Sequence, residues 1–407
     1  METASSTSTV GISYSIETDS YKAGKKISEN AYSQVKQSQN MVAFVFASIH
    51  HDISKLVEGI RSVFQERVQL FGCSATGVMT NDYLAYQGHQ VGIALLSDPG
   101  TSFQLFQSSE LSADEFTCGE KLADKVMSGH YECDPFLFMI YDSMKKNAAE
   151  GSPEFNFATP ILEGFRSVYG KWPAMAGLGS WGDPIMLKPN HLIINDSVVE
   201  QSIIALAISG NIKVETMILH GARPAGGYHT ITRAEKNVIY EIDHLPALDV
   251  LSKLMGDKVP WEQFPLFVTL GINRGEKFGD FHEEDYANRL CLAIDKEHKA
   301  LIMFETDLRD GDEFQLMRRT INKEYIGIAI KEKLQNLDTK PFFAFYIDCM
   351  GRRSDFSNMP FEEGEEVQKA LADIPFFGMY SGVELAKVGE KVQPLDWTGV
   401  LCFFSER

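Results

Sequence analysis

Closely spaced cysteines are missing. The six present stand singly at 73, 118, 133, 291, 349 and 402, so no CxxC pair signals a zinc site or a thioredoxin-like centre. Cys291, Cys349 and Cys402 lie in apolar runs, where a free thiol packs as a small core residue. A disulfide framework is not expected in a chain of 407 residues. No apolar run approaches the roughly eighteen residues of a membrane helix. Positive charge is also short. With 38 Lys and Arg against 56 Asp and Glu, the formal charge is −18, the wrong sign for nucleic acid or an anionic membrane as main partner. The opening Met1-Glu2-Thr3-Ala4-Ser5-Ser6-Thr7 lacks the basic start and apolar middle of a secretory signal. The expectation is a cytoplasmic protein with no nucleic-acid partner and no membrane insertion.

What is present is a repeated pattern. In Val68-Gln69-Leu70-Phe71-Gly72-Cys73-Ser74-Ala75-Thr76-Gly77 an apolar run stops at a glycine, and small or polar residues lead to another. Residues 173–182 repeat the pattern, and residues 374–382 repeat it one residue shorter. Each copy follows an apolar strand (41–47, 136–141, 342–347) and a helix. Ile53, Leu56, Val57, Ile60, Val63 and Phe64 give the first helix one apolar face. Thr159 as cap and Pro160 in the first turn start the second. Glu362, Glu363, Glu365 and Glu366 open the third, favourable against the helix dipole. Closing strands fall at 91–96, 202–208 and 400–404. Each unit reads strand, helix, strand, loop, strand.

Between the second and third copies the pattern predicts strands over 230–242, 264–271, 290–295 and 300–304, and a helix over 247–255. It also predicts a turn at 311–313 leading into a helix at 314–320. The expected fold class is α/β, two domains built from the repeated units with mixed sheets. A polar segment 1–37 precedes a domain over 38–237 and another over 238–407. A pseudo-twofold pairing is expected, with the glycine loops and a ligand between the domains.

At the junction the residues resemble a known family. Gly221-Ala222-Arg223-Pro224, Thr232-Arg233-Ala234-Glu235-Lys236-Asn237-Val238-Ile239-Tyr240-Glu241-Ile242-Asp243 and Pro246-Ala247-Leu248 resemble the join between the two FIST domains. Phe71-Gly72-Cys73-Ser74-Ala75-Thr76-Gly77 is similar to the family's N-terminal loop. Asp348-Cys349-Met350-Gly351-Arg352 and Phe377-Gly378-Met379-Tyr380-Ser381-Gly382-Val383-Glu384 are similar to its C-terminal segments. Here Val383 splits the usual Gly-Glu pair, and Leu395-Asp396-Trp397-Thr398 stands for a Leu-His/Asn-x-x-Thr element. The resemblance implies a sensory small-ligand-binding protein of intracellular signal transduction. Its output would pass to a separate histidine kinase or cyclic-dinucleotide enzyme. Some members of this length resemble haem-based nitric-oxide sensors, which makes haem the candidate cofactor.

The candidate ligand-binding residues are Gly72, Cys73, Ser74, Arg223, Cys349, Arg352, Gly378, Tyr380 and Glu384. The first glycine stretch has P-loop spacing, but Val78 stands where the lysine would begin, and Ser74 lacks the glycine of a nucleophile elbow. Free N–H groups in such a loop suit an anion, and simple close packing is the plainer alternative. Arg352 and Arg223 are the cations expected to meet an anionic ligand, with Arg352→Ala weakening binding and leaving the melting temperature nearly unchanged. His220 follows an apolar run and precedes a turn, which suits an axial haem ligand or a hydrogen-bonded structural histidine. No paired carboxylates or triad appear in one motif, so an enzyme is not expected. The alternative is a cysteine-dependent hydrolase or transferase using Cys73 or Cys349.

Overall fold

A run in which nearly every side chain is apolar must be covered on both faces. Three such strands organise the chain. The computed structural model describes residues 8–256, 259–320 and 322–407; residues 1–7, where the sequence shows no leader pattern, lie outside it. The first unit is β1 (Thr9–Ser15), α1 (Ser20–Gln34), β2 (Met41–Ala47), α2 (Ile53–Phe64), β3 (Gln69–Ser74), the short pair β4 (Val78–Thr80) and β5 (Leu84–Ala85), and β6 (Val91–Ser97). The second begins with β7 (Thr101–Ser109), α3 (Glu115–Met127), β8 (Phe136–Asp142) and a small pair, β9 (Met144–Lys146) and β10 (Glu154–Phe155). It continues with α4 (Ala158–Tyr169), β11 (Met175–Ser180), the pair β12 (Leu192–Ile194) and β13 (Ser197–Val199), and β14 (Ser202–Gly210).

The third unit opens on β15 (Ile212–Leu219), and an inserted sheet follows. That sheet holds β16 (Ala222–Pro224), β17 (His229–Glu235), β18 (Val238–Ile242), β19 (Leu245–Pro246), β20 (Thr269–Asn273), β21 (Tyr286–Asp295), β22 (Ala300–Met303) and β23 (Glu313–Arg319), with α5 (Ala247–Met255) after β19. The unit resumes with α6 (Glu324–Gln335), β24 (Phe343–Cys349), α7 (Ser354–Ser357), α8 (Glu363–Ala370) and β25 (Phe376–Ser381). The pair β26 (Val383–Val388) and β27 (Lys391–Leu395), then β28 (Gly399–Glu406), complete it.

The three six-stranded sheets share one order: β1-β6-β2-β3-β12-β13, β7-β14-β8-β11-β26-β27 and β15-β28-β24-β25-β4-β5. In each, the two central strands run parallel and the rest antiparallel. In each, the last two strands come from another unit. The first unit lends a pair to the third, the third to the second, and the second to the first. The expected pseudo-twofold pairing is thus corrected to a cyclic arrangement of three. The α/β class and the repeated unit stand as read.

The repeat is visible in single side chains. A Cβ on Gly72 would lie 1.8 Å from the Val45 carbonyl oxygen, on Gly177 2.3 Å from that of Met139, and on Gly378 3.1 Å from that of Tyr346. The three glycines therefore sit inside β3, β11 and β25 as close-approach residues, not at the start of loops. The residue before each of those carbonyls is a phenylalanine. Phe44, Phe138 and Phe345 meet pairwise, with ring centroids 5.2–5.7 Å apart, at the centre of the main core.

Several local expectations change. The polar segment up to residue 37 carries, besides the edge strand β1, a helix, α1, which packs on α2 through buried Ala23, Ile27 and Ala31. The helix expected at 314–320 is absent: residues 314–319 form most of β23, because their backbone pairs with β16, β17 and β20. Thr159 does not cap α4. The carboxylate of buried Glu305 does, accepting from the Ala158 and Thr159 N–H groups at 3.0 and 3.1 Å and from the Thr159 hydroxyl at 2.9 Å. No helix among the described residues is long and apolar enough to cross a membrane. Gly72→Ala is expected to cost about 3 kcal/mol, the upper end for overpacking against backbone. Urea unfolding of the variant measures it.

Candidate functional site

The strand ends that follow the three glycines converge. Each of β3, β11 and β25 finishes on a fully buried serine: Ser74, Ser180 and Ser381. The Ser180 hydroxyl donates to the Ser74 carbonyl at 3.0 Å, the Gly382 N–H to the Gly179 carbonyl at 3.0 Å, and the Tyr380 N–H to the Gly77 carbonyl at 3.2 Å. All three units are therefore tied at one point. Main-chain ends buried in this way need internal partners, and here they serve one another.

Beside this junction lies an apolar cavity of about 210 Å³. Trp181, Phe155 and Phe304 form an aromatic wall, with Trp181 centroids 5.3 and 6.1 Å from the other two. Cys349, Met350 and Gly351 line a second side, Gly382 a third, Leu290 and Leu292 of the inserted sheet a fourth, and Trp397 closes it. Phe356, 46% exposed, also lines this cavity. Trp397 has a φ of +52°, a left-handed conformation that a bulky side chain adopts only when its surroundings force it. The turn is pinned on both sides. The Asp396 carboxylate accepts the Leu290 N–H at 2.8 Å, and the Thr398 hydroxyl donates to the Asp396 carbonyl at 2.9 Å.

Arg352 holds the Trp397 carbonyl from within. It is fully buried, and its guanidinium lies 2.9 Å from an Asp348 oxygen and 2.6 Å from a Glu363 oxygen. Nη1 donates to the Trp397 carbonyl at 3.2 Å and Nη2 to the Tyr325 hydroxyl at 3.3 Å. Glu363 also pairs with Arg319 at 3.0 Å. Burial pushes the Asp348 carboxyl up to about 7, while the guanidinium pulls the other way. Burial also works against the Arg352 charge, but Glu363 and its neighbours outweigh it and keep the guanidinium firmly protonated. The expected role of Arg352 as a ligand's counter-ion is corrected. Its donors are committed to the protein, and it lines none of the cavities beside Trp397.

The other candidates divide. Cys349 and the Gly382 end of the third repeat reach the cavity. Burial pushes the Cys349 thiol well up, with Glu384 adding to it, against the N–H groups of Gly351 and Trp397. Glu384 is itself buried and pushed well up by burial. One of its oxygens accepts from the Ser381 hydroxyl at 2.7 Å, and the other has no hydrogen bond among the described residues. Tyr380 is buried and donates to Glu362 at 2.7 Å. Gly72 and Gly378 are packing residues, and Ser74 accepts the His191 N–H at 3.1 Å. Cys73 is a core side chain whose thiol burial pushes up to about 12. Arg223 is exposed on β16, its guanidinium 4.8 Å over the Phe281 ring.

His220 is corrected as an iron ligand. Its ring is fully buried, Nδ1 accepts the Ala222 N–H at 3.0 Å, and Nε2 donates to the Glu283 carbonyl at 3.0 Å. Burial lowers its pKa, which keeps the imidazole neutral, and no ring nitrogen is free for a metal. Sequence reasoning missed Trp181, Glu305 and Trp397 as parts of this region. Trp181 and Trp397 had a signal, since they stand in the repeat at 173–182 and in the motif segment 395–398, whereas Glu305 had none.

The profile of the FIST N domain matches residues 41–245, and that of the FIST C domain matches residues 247–387. A protein of Methanocaldococcus jannaschii described as uncharacterized is 21% identical over 359 residues; the match covers 85% of this chain, which spans 66% of that relative's length. Among solved structures, PurLQS from Thermotoga maritima is 10% identical with a TM-score of 0.24, covering 98% of this chain and 72% of its own. That likeness is too slight to carry an argument.

Arg352→Ala is expected to lower stability by about 3–5 kcal/mol, the usual cost of leaving buried charges unpaired. Chemical unfolding measures it. A melting temperature equal to wild type would refute the buried pairing.

Proposed function

The chain belongs to the FIST family, whose domains are sensory domains of signal transduction, and we propose that it senses a small apolar ligand held beside Trp397. One observation carries this reading. Segments distant in sequence, 349–351, 382 and 397, line a single, partly open apolar cavity. A volume of about 210 Å³ suits a ligand no larger than a fused bicycle. Apolar cavities of comparable size accept small aromatic guests. Pressure on Trp397 would pass through its carbonyl to Arg352, and from there to Tyr325 on α6 and Glu363 on α8. Two helices of the third unit would thus report occupancy.

The reading is of binding without turnover. A hydrolase or transferase using Cys73 or Cys349 needs a thiolate, and burial raises the pKa of both thiols. The buried, doubly hydrogen-bonded His220 ring gives no support to haem. Output to a separate chain, a histidine kinase or a cyclic-dinucleotide enzyme, and a cytoplasmic setting complete the proposal on the family's precedent.

Indole serves as probe. At about a hundredfold excess over its Kd it should add roughly 2.7 kcal/mol of stability and raise Tm measurably. Leu292→Trp, which fills the cavity from the inserted sheet, should abolish that rise. No shift with the wild type, or the same shift with the variant, would overturn the assignment.

A further inference from the structure

A second recess opens on the other side of Trp397, and we propose that it binds an anion with an apolar tail, a medium-chain carboxylate being the chemistry that fits. β16 and β23 pair with Arg223 directly opposite Arg318. Like charges at directly opposed positions repel and destabilise a strand pair. Neither of these two has an ion pair among the described residues, and Arg318 has no hydrogen bond there either, whereas its neighbour Arg319 is paired with Glu363. The two unneutralised guanidinium groups, with Thr320, line a recess of about 410 Å³. A bound anion removes the repulsion and takes charge-assisted hydrogen bonds from both.

The recess does not end at the arginines. Ala225, Arg318 and Arg319 also belong to a groove of about 530 Å³, within the range of small-molecule sites. Its floor is Leu254, Met255, Phe267, Leu316 and Met317, and Trp397 is its far wall. Phe267 is 74% exposed and Leu254 39% exposed, a large apolar area to leave in water. Methionine thioethers adapt to flexible chains. A groove charged positive at one end and oily along its length is complementary to a head-and-tail anion. It goes beyond the inner cavity, with which it shares Trp397 alone among lining residues.

The test uses the full chain and titrates dodecanoate, dodecanol and acetate by calorimetry below the micelle concentration. Dodecanoate should bind, dodecanol should bind about 10- to 100-fold more weakly for want of the charged head, and acetate should not bind measurably. Arg318→Ala and Arg223→Ala should each weaken dodecanoate by about tenfold or more with Tm within about 2 °C of wild type, since both side chains are exposed and neither has an ion pair among the described residues. Leu292→Trp, which closes only the inner cavity, should leave dodecanoate affinity within about twofold. That arm separates failure of the groove from failure of the inner site. Equal affinity for dodecanoate and dodecanol, no binding of dodecanoate, full affinity in Arg318→Ala, or lost affinity in Leu292→Trp would each overturn the proposal.

Discussion

Closure of a ring of three units is the constraint on which the rest of this fold depends. Each sheet lacks its fifth and sixth strands until another unit supplies them. Without them β3, β11 and β25 would present unpaired edges along apolar strands, the arrangement soluble proteins avoid. The exchange is cyclic, so the three sheets are all complete only when all three units are present. Phe44, Phe138 and Phe345 sit where the inner faces meet, one from each unit. Such aromatic pairs add about 0.5–1.5 kcal/mol each beyond the area they bury. The two family domains, 41–245 and 247–387, are therefore interlocked and not merely adjacent.

Closure also places polar groups where water does not reach. Asp142, Asp348, Glu384 and Ser381 all lie in the interior near the strand ends. Burying an ion costs several kcal/mol unless it is paired and hydrogen-bonded. Two arginines meet that cost. Arg352 answers Asp348 and Glu363 and steadies Trp397. Arg289, equally buried, pairs with Asp307 and donates to the Pro394 carbonyl at 2.8 Å, fastening the inserted sheet to β27. Glu384 has no cation in contact, and burial pushes its carboxyl well up. Cavity and charged hub are thus two consequences of the same geometry.

Much of this was legible in the residues, and the limits have physical causes. The three units were readable because a strand glycine forced by a neighbouring carbonyl leaves the same mark each time, at Gly72, Gly177 and Gly378. The exchange of strands was not. β4, β5 and β13 are two or three residues long, too short to carry a period, and the partners of β4 and β12 are far away in the chain. Residues 314–320 were misread because pairing on several sides decided their state, and local pattern does not report pairing. Arg352, read as a ligand's counter-ion, has its partners inside the protein. The Asp348–Arg352 spacing of four was in plain view, whereas Glu363 lies across α7 and Arg319 on another sheet. His220 shows the same limit, since Glu283, which occupies its surroundings, is sixty-three residues away.

The interlocked ring is tested most directly by cutting it. Residues 1–219 contain the first two units, and with them β4, β5 and β11, but none of β24 to β28. The account predicts that this fragment, followed by far-UV circular dichroism and tryptophan fluorescence in urea, shows no cooperative transition. The full chain should show one transition, coincident by both probes. A fragment that unfolds cooperatively, with a midpoint near that of the full chain, would contradict the account.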